Sequence, residues 1–242
     1  MRQAKKRAEM VVTRLEKLYG YRLERPIFDP LEELISCILT QNSTDNVAFP
    51  TFEKLRKKYP AWADIAGLSV SALEKEIRPV GLSKQKAKAI LGTLKEVYKK
   101  AGKYSLNFLE DCTTEDAMKW LQSLPGVGPK TSAIVMMFSF NRDVIPVDTH
   151  VFRVAHRLGF IEKKIGPAKA HDELLKIVPI HLAKTFHVVL IQHGRKVCKA
   201  LNPQCDKCVV SGMCEWYKEN KSQIKRSAVG ESSRMVRVKQ EF

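Results

Sequence analysis

Apolar residues recur along this chain at helical spacing and nowhere in sustained alternation. Residues 3–19 place Ala8, Val11, Val12, Leu15 and Leu18 on one helical face, and Gly20 follows as a stop. Asp29-Pro30-Leu31-Glu32 has the form of a helix start, with Asp at the cap, Pro at the first position and Glu three residues after the cap. Leu34, Ile35, Ile38 and Leu39 then make its buried stripe. The next helix, its start blurred by Pro50, is expected to run to Tyr59-Pro60. Ser71-Ala72-Leu73-Glu74 reads as a capping box. Residues 84–101 repeat Ala87, Ile90, Leu91, Leu94, Val97 and Tyr98 and end at Gly102. Further helices are predicted near 114–123, 130–140, 149–158, 167–177 and 181–196. With no period of two anywhere, the predicted fold class is all-α, its loops short apart from residues 102–113.

The polar positions narrow the choice of partner. Lys and Arg number 42 against 26 Asp and Glu, a formal net charge of +16. Such an excess favours a polyanion, because each neutralised phosphate releases condensed counterions. A merely solvated basic surface is the plain alternative. No apolar run approaches the roughly 20 residues of a spanning helix, which argues against a membrane. The basic start Met1-Arg2-Gln3-Ala4-Lys5-Lys6-Arg7 leads into no signal-peptide core. The expected location is the reducing cytoplasm, at the nucleoid if the source is prokaryotic. From Lys218 to Phe242 the chain is polar and basic, with Lys225, Arg226, Arg234 and Arg237 among Ser, Gly and Gln. That tail reads as a disordered, solvated segment, the alternative being an arm that touches DNA.

Of six cysteines, four crowd between Cys198 and Cys214, while Cys37 and Cys112 stand apart in segments read as helical and serve as small apolar residues. A tight local group in an intracellular chain signals a metal site rather than a disulfide framework. Cys198, Cys205, Cys208 and Cys214 are separated by six, two and five residues. Four thiolates in so short a loop can wrap a cubane iron–sulfur cluster. Zinc also accepts four cysteines and is the rival, although its sites more often use two close pairs and only Cys205 and Cys208 form one here.

The most informative stretch is Leu124-Pro125-Gly126-Val127-Gly128-Pro129-Lys130-Thr131, set between two helical patterns. Gly126 and Gly128 allow a sharp turn while Val127 anchors the loop in the core. Amides exposed ahead of the following helix can hold a phosphate. Val147-Asp148-Thr149-His150-Val151 follows after one helix and a loop. Taken alone, Lys130 reads as a phosphate binder and Asp148 as a helix N-cap.

With these segments and the cysteine spacing, the sequence resembles the endonuclease III family of helix-hairpin-helix DNA glycosylases from about residue 30 to about residue 217. The resemblance implies a six-helix domain over 22–140 with the helix-hairpin-helix motif. It implies a second domain of 1–21 with 141–217, carrying a [4Fe–4S] cluster on the four cysteines, and an active site in the cleft between the two. Asp148 matches the family's catalytic aspartate, and Lys130 the lysine of its bifunctional members. His150 reads as structural or DNA-contacting rather than catalytic. Leu82, in Val80-Gly81-Leu82-Ser83, matches an apolar wedge, its alternative being a contact that caps the next helix. Leu39 to Asp45 matches the loop that fills the gap left by an extruded base. There the sequence departs from the usual pattern: Asn42 stands where glutamine is usual and Gln41 precedes it, so either could insert. Asp45 is read as a helix cap or support for the site. Around the cysteines, Lys199 with Arg195, Lys196 and Lys207 could meet the DNA backbone. The implied partner is double-stranded DNA holding a damaged base or abasic site, bound by a monomer.

The chemistry fits the residues. Cleaving an N-glycosidic bond leaves positive charge on the sugar, which a carboxylate such as Asp148 stabilises. A neutral lysine amine attacking the sugar carbon leads to a Schiff base and then strand cleavage. Lys130, at a helix start in a basic cleft, is expected to lose its proton readily. The leading expectation is a bifunctional glycosylase/lyase acting on damaged pyrimidines. A thymine or uracil mismatch glycosylase is the second reading, and a non-enzymatic DNA-binding module the third.

Overall fold

The structure, a computed structural model, describes residues 2–21 and 28–228. Among the described residues there are helices and short 3₁₀ turns and no strand, so the fold is all-α. None of the single helices described is long and apolar enough to cross a membrane.

Helix α2 (Pro30–Thr40) lies at the centre of the first half. Asp29 accepts from the amides of Leu31 and Glu32 at 2.9 and 3.0 Å, starting the helix where predicted. Leu31, Leu34, Ile35, Ile38 and Leu39 are essentially fully buried against α3 (Asp45–Lys58), α6 (Ser83–Ala101) and α8 (Pro129–Phe138). Burying a Leu or Ile contributes about 1.5–3 kcal/mol each, so this stripe sets where the surrounding helices sit. The short helices α4 (Trp62–Ala66) and α5 (Val70–Glu76) pack on α6, and α7 (Thr114–Gln122) packs on α8.

The remaining helices form a second packed group. Helix α1 (Arg2–Tyr19) lies along α11 (Ala183–Lys196) and touches α10 (Gly166–Ile177). Helix α9 (Thr149–Arg157) packs on α10, α11 and α12 (Glu215–Ala228). The expected domain start at residue 22 lies outside the described residues.

Several local expectations change. In α1, Ala8, Val11, Val12 and Leu15 are buried but Leu18 is 48% exposed, because the stripe drifts off the contact at the last turn. Pro50 lies inside α3 and forfeits one intrahelical bond without ending the helix. The cap of α5 is Ser69, accepting from the Ala72 amide at 3.1 Å, not Ser71. Starting two residues earlier completes a turn that places Leu73 and then Ile77 in the core. Cys112 sits in a bend before α7, not in a helix. Residues 102–113 are tied down by buried Leu106 and Leu109 and by Arg142, which donates to the carbonyls of Glu110 and Cys112 at 2.6 and 3.2 Å. The polar stretch from Lys218 is helical to Ala228, correcting the expectation of disorder from that point. Its anchor is the Arg157 guanidinium, 4.6 Å from the Trp216 ring centroid, a contact that composition does not reveal. The rest of the tail lies outside the described residues.

Candidate active site and cysteine pocket

The hairpin between α7 and α8 is built as its two glycines suggested, but they act differently. Val127 is buried and its amide bonds the Leu124 carbonyl at 3.2 Å, so the loop is pinned at its middle. Gly126 has φ +76°, and a Cβ there would lie 3.0 Å from Ala89 Cβ, so both backbone and space require glycine. Gly128, at φ −105° and ψ −177°, has a backbone any residue adopts, and a Cβ would meet nothing within 4 Å. Its bareness leaves the first turn of α8 open to an anion, since no side chain caps that helix.

Beside the hairpin is a cleft of about 130 Å³, walled by α2, α3 and α8 on one side and by α11 and the start of α9 on the other. Lys130, second residue of α8, and Asp148, the residue before α9, both line it. Lys130 is exposed and Asp148 half-buried. Asp148 Oδ1 accepts from the Val151 amide at 2.7 Å, so this carboxylate is an N-cap in fact. The cap and the cleft are compatible roles: the bond that starts α9 also fixes the carboxylate at the rim. Asp45 and Arg195 pair across the cleft, Oδ2 to Nη2 at 2.9 Å, joining α3 to α11. Asp45 therefore supports the site and does not cap α3, whose cap position is Thr44.

Several wall residues escaped sequence reasoning, Cys37 and His187 among them. Cys37, read only as apolar filler, stands on the cleft wall, its Sγ donating to Glu33 Oε1 at 3.4 Å. His187 Nδ1 lies 2.8 Å from the Pro146 carbonyl, which can only accept, so that nitrogen carries the proton. Nothing local in the sequence marks either residue, since the cleft is assembled from separate helices.

The residues expected at the DNA separate into groups. Gln41 Nε2 donates to the Gly126 carbonyl at 2.8 Å and lies 3.4 Å from Thr131 Oγ1, so it is committed to the hairpin. Asn42 beside it is exposed, at φ +49°. Leu82 is 56% exposed at φ +48°, a conformation that leucine adopts only under strain. His150 is half-buried, its Nδ1 3.1 Å from Arg153 Nη2, and burial holds its pKa below the usual histidine value. Gly194 makes room for it, since a Cβ there would lie 2.9 Å from His150 Cβ. Neither His150 nor Lys199 lines the cleft. Lys199 is exposed on the cysteine loop, where its carbonyl accepts from Arg157 Nη1 at 2.8 Å.

Cys198, Cys205, Cys208 and Cys214 line a second, small cavity of about 20 Å³ with apolar walls that include Val154, Leu158 and Val210. Burial pushes the Cys205 thiol up to about 11 and the Cys208 thiol to about 12, and raises Cys214. Thiols this reluctant to ionise need positive charge among them before they become ligands. Among the described residues no three His, Cys, Asp or Glu side chains close on a single ion. Four cysteines lining one pocket are a ligand set that either an iron–sulfur cluster or a zinc ion can use. Arg157 Nη1 donates to Cys198 Sγ at 3.3 Å, and His193 Nε2 stands 3.4 Å from Cys208 Sγ. Burial lowers His193 to about 4, and Tyr19 OH bonds its Nδ1 at 3.0 Å.

Comparison with known proteins agrees with this geometry. Residues 35–180 match the family described as HhH-GPD superfamily base excision DNA repair protein. Endonuclease III of Buchnera aphidicola subsp. Baizongia pistaciae (strain Bp) is 34% identical over 189 residues, 78% of this chain and 83% of that one. A solved structure of a trapped endonuclease III–DNA covalent intermediate is similar with a TM-score of 0.78 and 29% identity, covering 90% of this chain and 98% of that one. A thermostable thymine-DNA glycosylase is similar with a TM-score of 0.73 and 25% identity, covering 88% of this chain and 98% of that one.

Proposed function

Because the chain belongs to the endonuclease III family of the HhH-GPD superfamily, we propose that its cleft excises a base with Lys130 as nucleophile and Asp148 as the stabilising carboxylate. The protein is a bifunctional DNA glycosylase and abasic-site lyase of base excision repair. The observation that carries the residue assignment is the convergence of Lys130 and Asp148 on one cleft beside the hairpin.

The steps follow from those positions. The hairpin amides and the open end of α8 hold the DNA backbone. The flipped nucleotide enters the cleft lined by Lys130 and Asp148. Lys130 Nζ attacks the sugar C1′ through its nitrogen lone pair and sheds a proton, and the base leaves with the electrons of the N-glycosidic bond and gains a proton. Asp148 stabilises the positive charge that develops on the sugar. Ring opening gives an imine between Lys130 and C1′. Loss of a proton from C2′ then expels the 3′ phosphate by β-elimination, and water releases the enzyme.

Damaged pyrimidines are the proposed substrates, in duplex DNA bound by a monomer in the cytoplasm or at the nucleoid. Asn42, exposed beside the committed Gln41, is the residue that fills the gap, and Leu82 the wedge. His150 serves the fold, and Lys199 the DNA backbone. The four cysteines would hold a [4Fe–4S] cluster whose chemistry here is structural, a cross-link that orders the Lys199 loop. Helices α2–α8 form one domain, and α1 with α9–α12 the other. Similarity to a thymine-DNA glycosylase keeps thymine or uracil mismatches as the second substrate class. Borohydride should trap wild-type protein on DNA bearing thymine glycol, dihydrouracil, G·T, G·U or an abasic site according to preference. Lys130→Gln should trap none and lose nicking by about 100-fold or more. An adduct surviving that change would remove Lys130 from the mechanism, and nicking confined to G·T and G·U would select the mismatch reading.

A further inference from the structure

Lys86 is buried, 4% exposed, in the first turns of α6. Its Nζ donates to the Leu39 carbonyl at 2.9 Å and the Val80 carbonyl at 3.0 Å, and its own amide bonds the Leu82 carbonyl at 3.0 Å. Among the described residues no carboxylate pairs with it. A lysine held this way is unusual, because burying an ammonium is costly without a counter-charge. The same burial pulls its pKa below the usual lysine value.

The two carbonyls explain the arrangement. Leu39 lies in the last turn of α2, where carbonyls lack helical partners, and leads directly into Asn42. Val80 ends the 3₁₀ turn Arg78–Val80 and leads directly into Leu82. Asn42 and Leu82 both stand exposed in the left-handed region, which asparagine enters readily but leucine holds only where the surroundings enforce it. One ammonium thus fastens the stems of both projecting residues to the same point of α6.

We propose that Lys86 is a positioning residue that fixes the separation of Asn42 and Leu82, so that the two enter the DNA stack together. This rests on the reading that both residues enter the duplex. In the ordinary course of the reaction Lys86 touches neither substrate nor the reacting atoms. Its effect is on extrusion of the nucleotide, not on the chemistry at C1′.

The test compares wild type with Lys86→Met, which keeps the stem and removes the charge. Extrusion is read by 2-aminopurine fluorescence beside the lesion, chemistry by β-elimination at an abasic site in single-stranded DNA, which needs no extrusion. Duplex excision and extrusion should fall on the order of 10- to 100-fold, the usual effect of a small misplacement. Single-strand β-elimination should stay within about twofold, a change no larger than independent sites produce. On an Asn42→Ala Leu82→Ala background, the further loss from Lys86→Met should nearly vanish. Lys86→Gln, able to reach one carbonyl but not both, carries the same test if the Met variant does not fold. Normal extrusion in the Lys86 variants, or a full loss on the double-variant background, overturns the proposal. Normal extrusion by Asn42→Ala Leu82→Ala alone overturns the insertion reading, and the Lys86 proposal with it.

Discussion

Asp148 carries two duties with one carboxylate, and substitution can separate them. Oδ1 starts α9 through the Val151 amide, and the group lines the cleft that holds Lys130. Asparagine caps helices as well as aspartate does but carries no charge. Asp148→Asn should therefore melt within about 0.5 kcal/mol of wild type. Its base excision should be about 10²- to 10³-fold slower, the scale of a lost electrostatic stabiliser. Asp148→Ala should lose the same activity and about 1 kcal/mol of stability besides. Thermal melts and single-turnover excision on one lesion distinguish the three proteins. Full excision by the Asn variant would leave Asp148 a cap and nothing more.

The hairpin shows what a sequence pattern can and cannot say about an element. Two glycines around one apolar residue marked the turn, yet they looked equivalent. In the fold Gly126 needs its positive φ and its space beside Ala89, whereas Gly128 needs neither. Gly126→Ala should cost at least the roughly 1–2 kcal/mol of a left-handed alanine. Gly128→Ala should melt like wild type and weaken DNA binding, because the added methyl stands where a phosphate approaches. Melting and binding measured side by side would reveal an error in either assignment.

The longer helices before the tail were legible because they carry an apolar stripe of the right period and most have a stop or cap, whereas the five-residue α4 and the polar α12 lack such a stripe and were not. Ser69 was missed because Ser71, with Glu74 three residues on, completes the capping-box pattern that Ser69, followed by Ala72, lacks; burial of Leu73 and Ile77 decides for Ser69. Lys86, Arg157 and His193 were illegible for a different reason. Their partners are carbonyls and sulfurs far away in sequence, and nothing in a linear pattern marks a backbone acceptor. The proposed catalytic pair and the meaning of the cysteine spacing could be read because resemblance to a family supplied what periodicity does not.

For the molecule as a whole, the cysteine pocket ties α9, α11 and α12 to the loop bearing Lys199. Cys208→Ala is expected to remove the broad absorption near about 400 nm expected of such a cluster. Loss of about 3 kcal/mol of metal-linked stability would lower Tm by about 6–12 °C. DNA affinity should also weaken with a shallower salt dependence, by roughly one phosphate contact for each lysine the loosened loop withdraws. A colourless wild-type protein rich in zinc, or a Cys208 variant with unchanged Tm, would count against the cluster.

The seat of α1 has a consequence for how the chain is made. Its apolar face, Ala8, Val11, Val12 and Leu15, is covered by helices that come late in the sequence. At roughly 5–20 residues per second, synthesis leaves that face waiting on the order of ten seconds for α11. An isolated helix of this length is marginal in water. While the ribosome completes α2 to α8, the first segment is therefore a sticky, half-formed guest, open to a chaperone or to a neighbouring nascent chain. Its docking on α11 closes a long loop, which costs chain entropy before the contact rewards it, so the seating of α1 is expected to come late in folding.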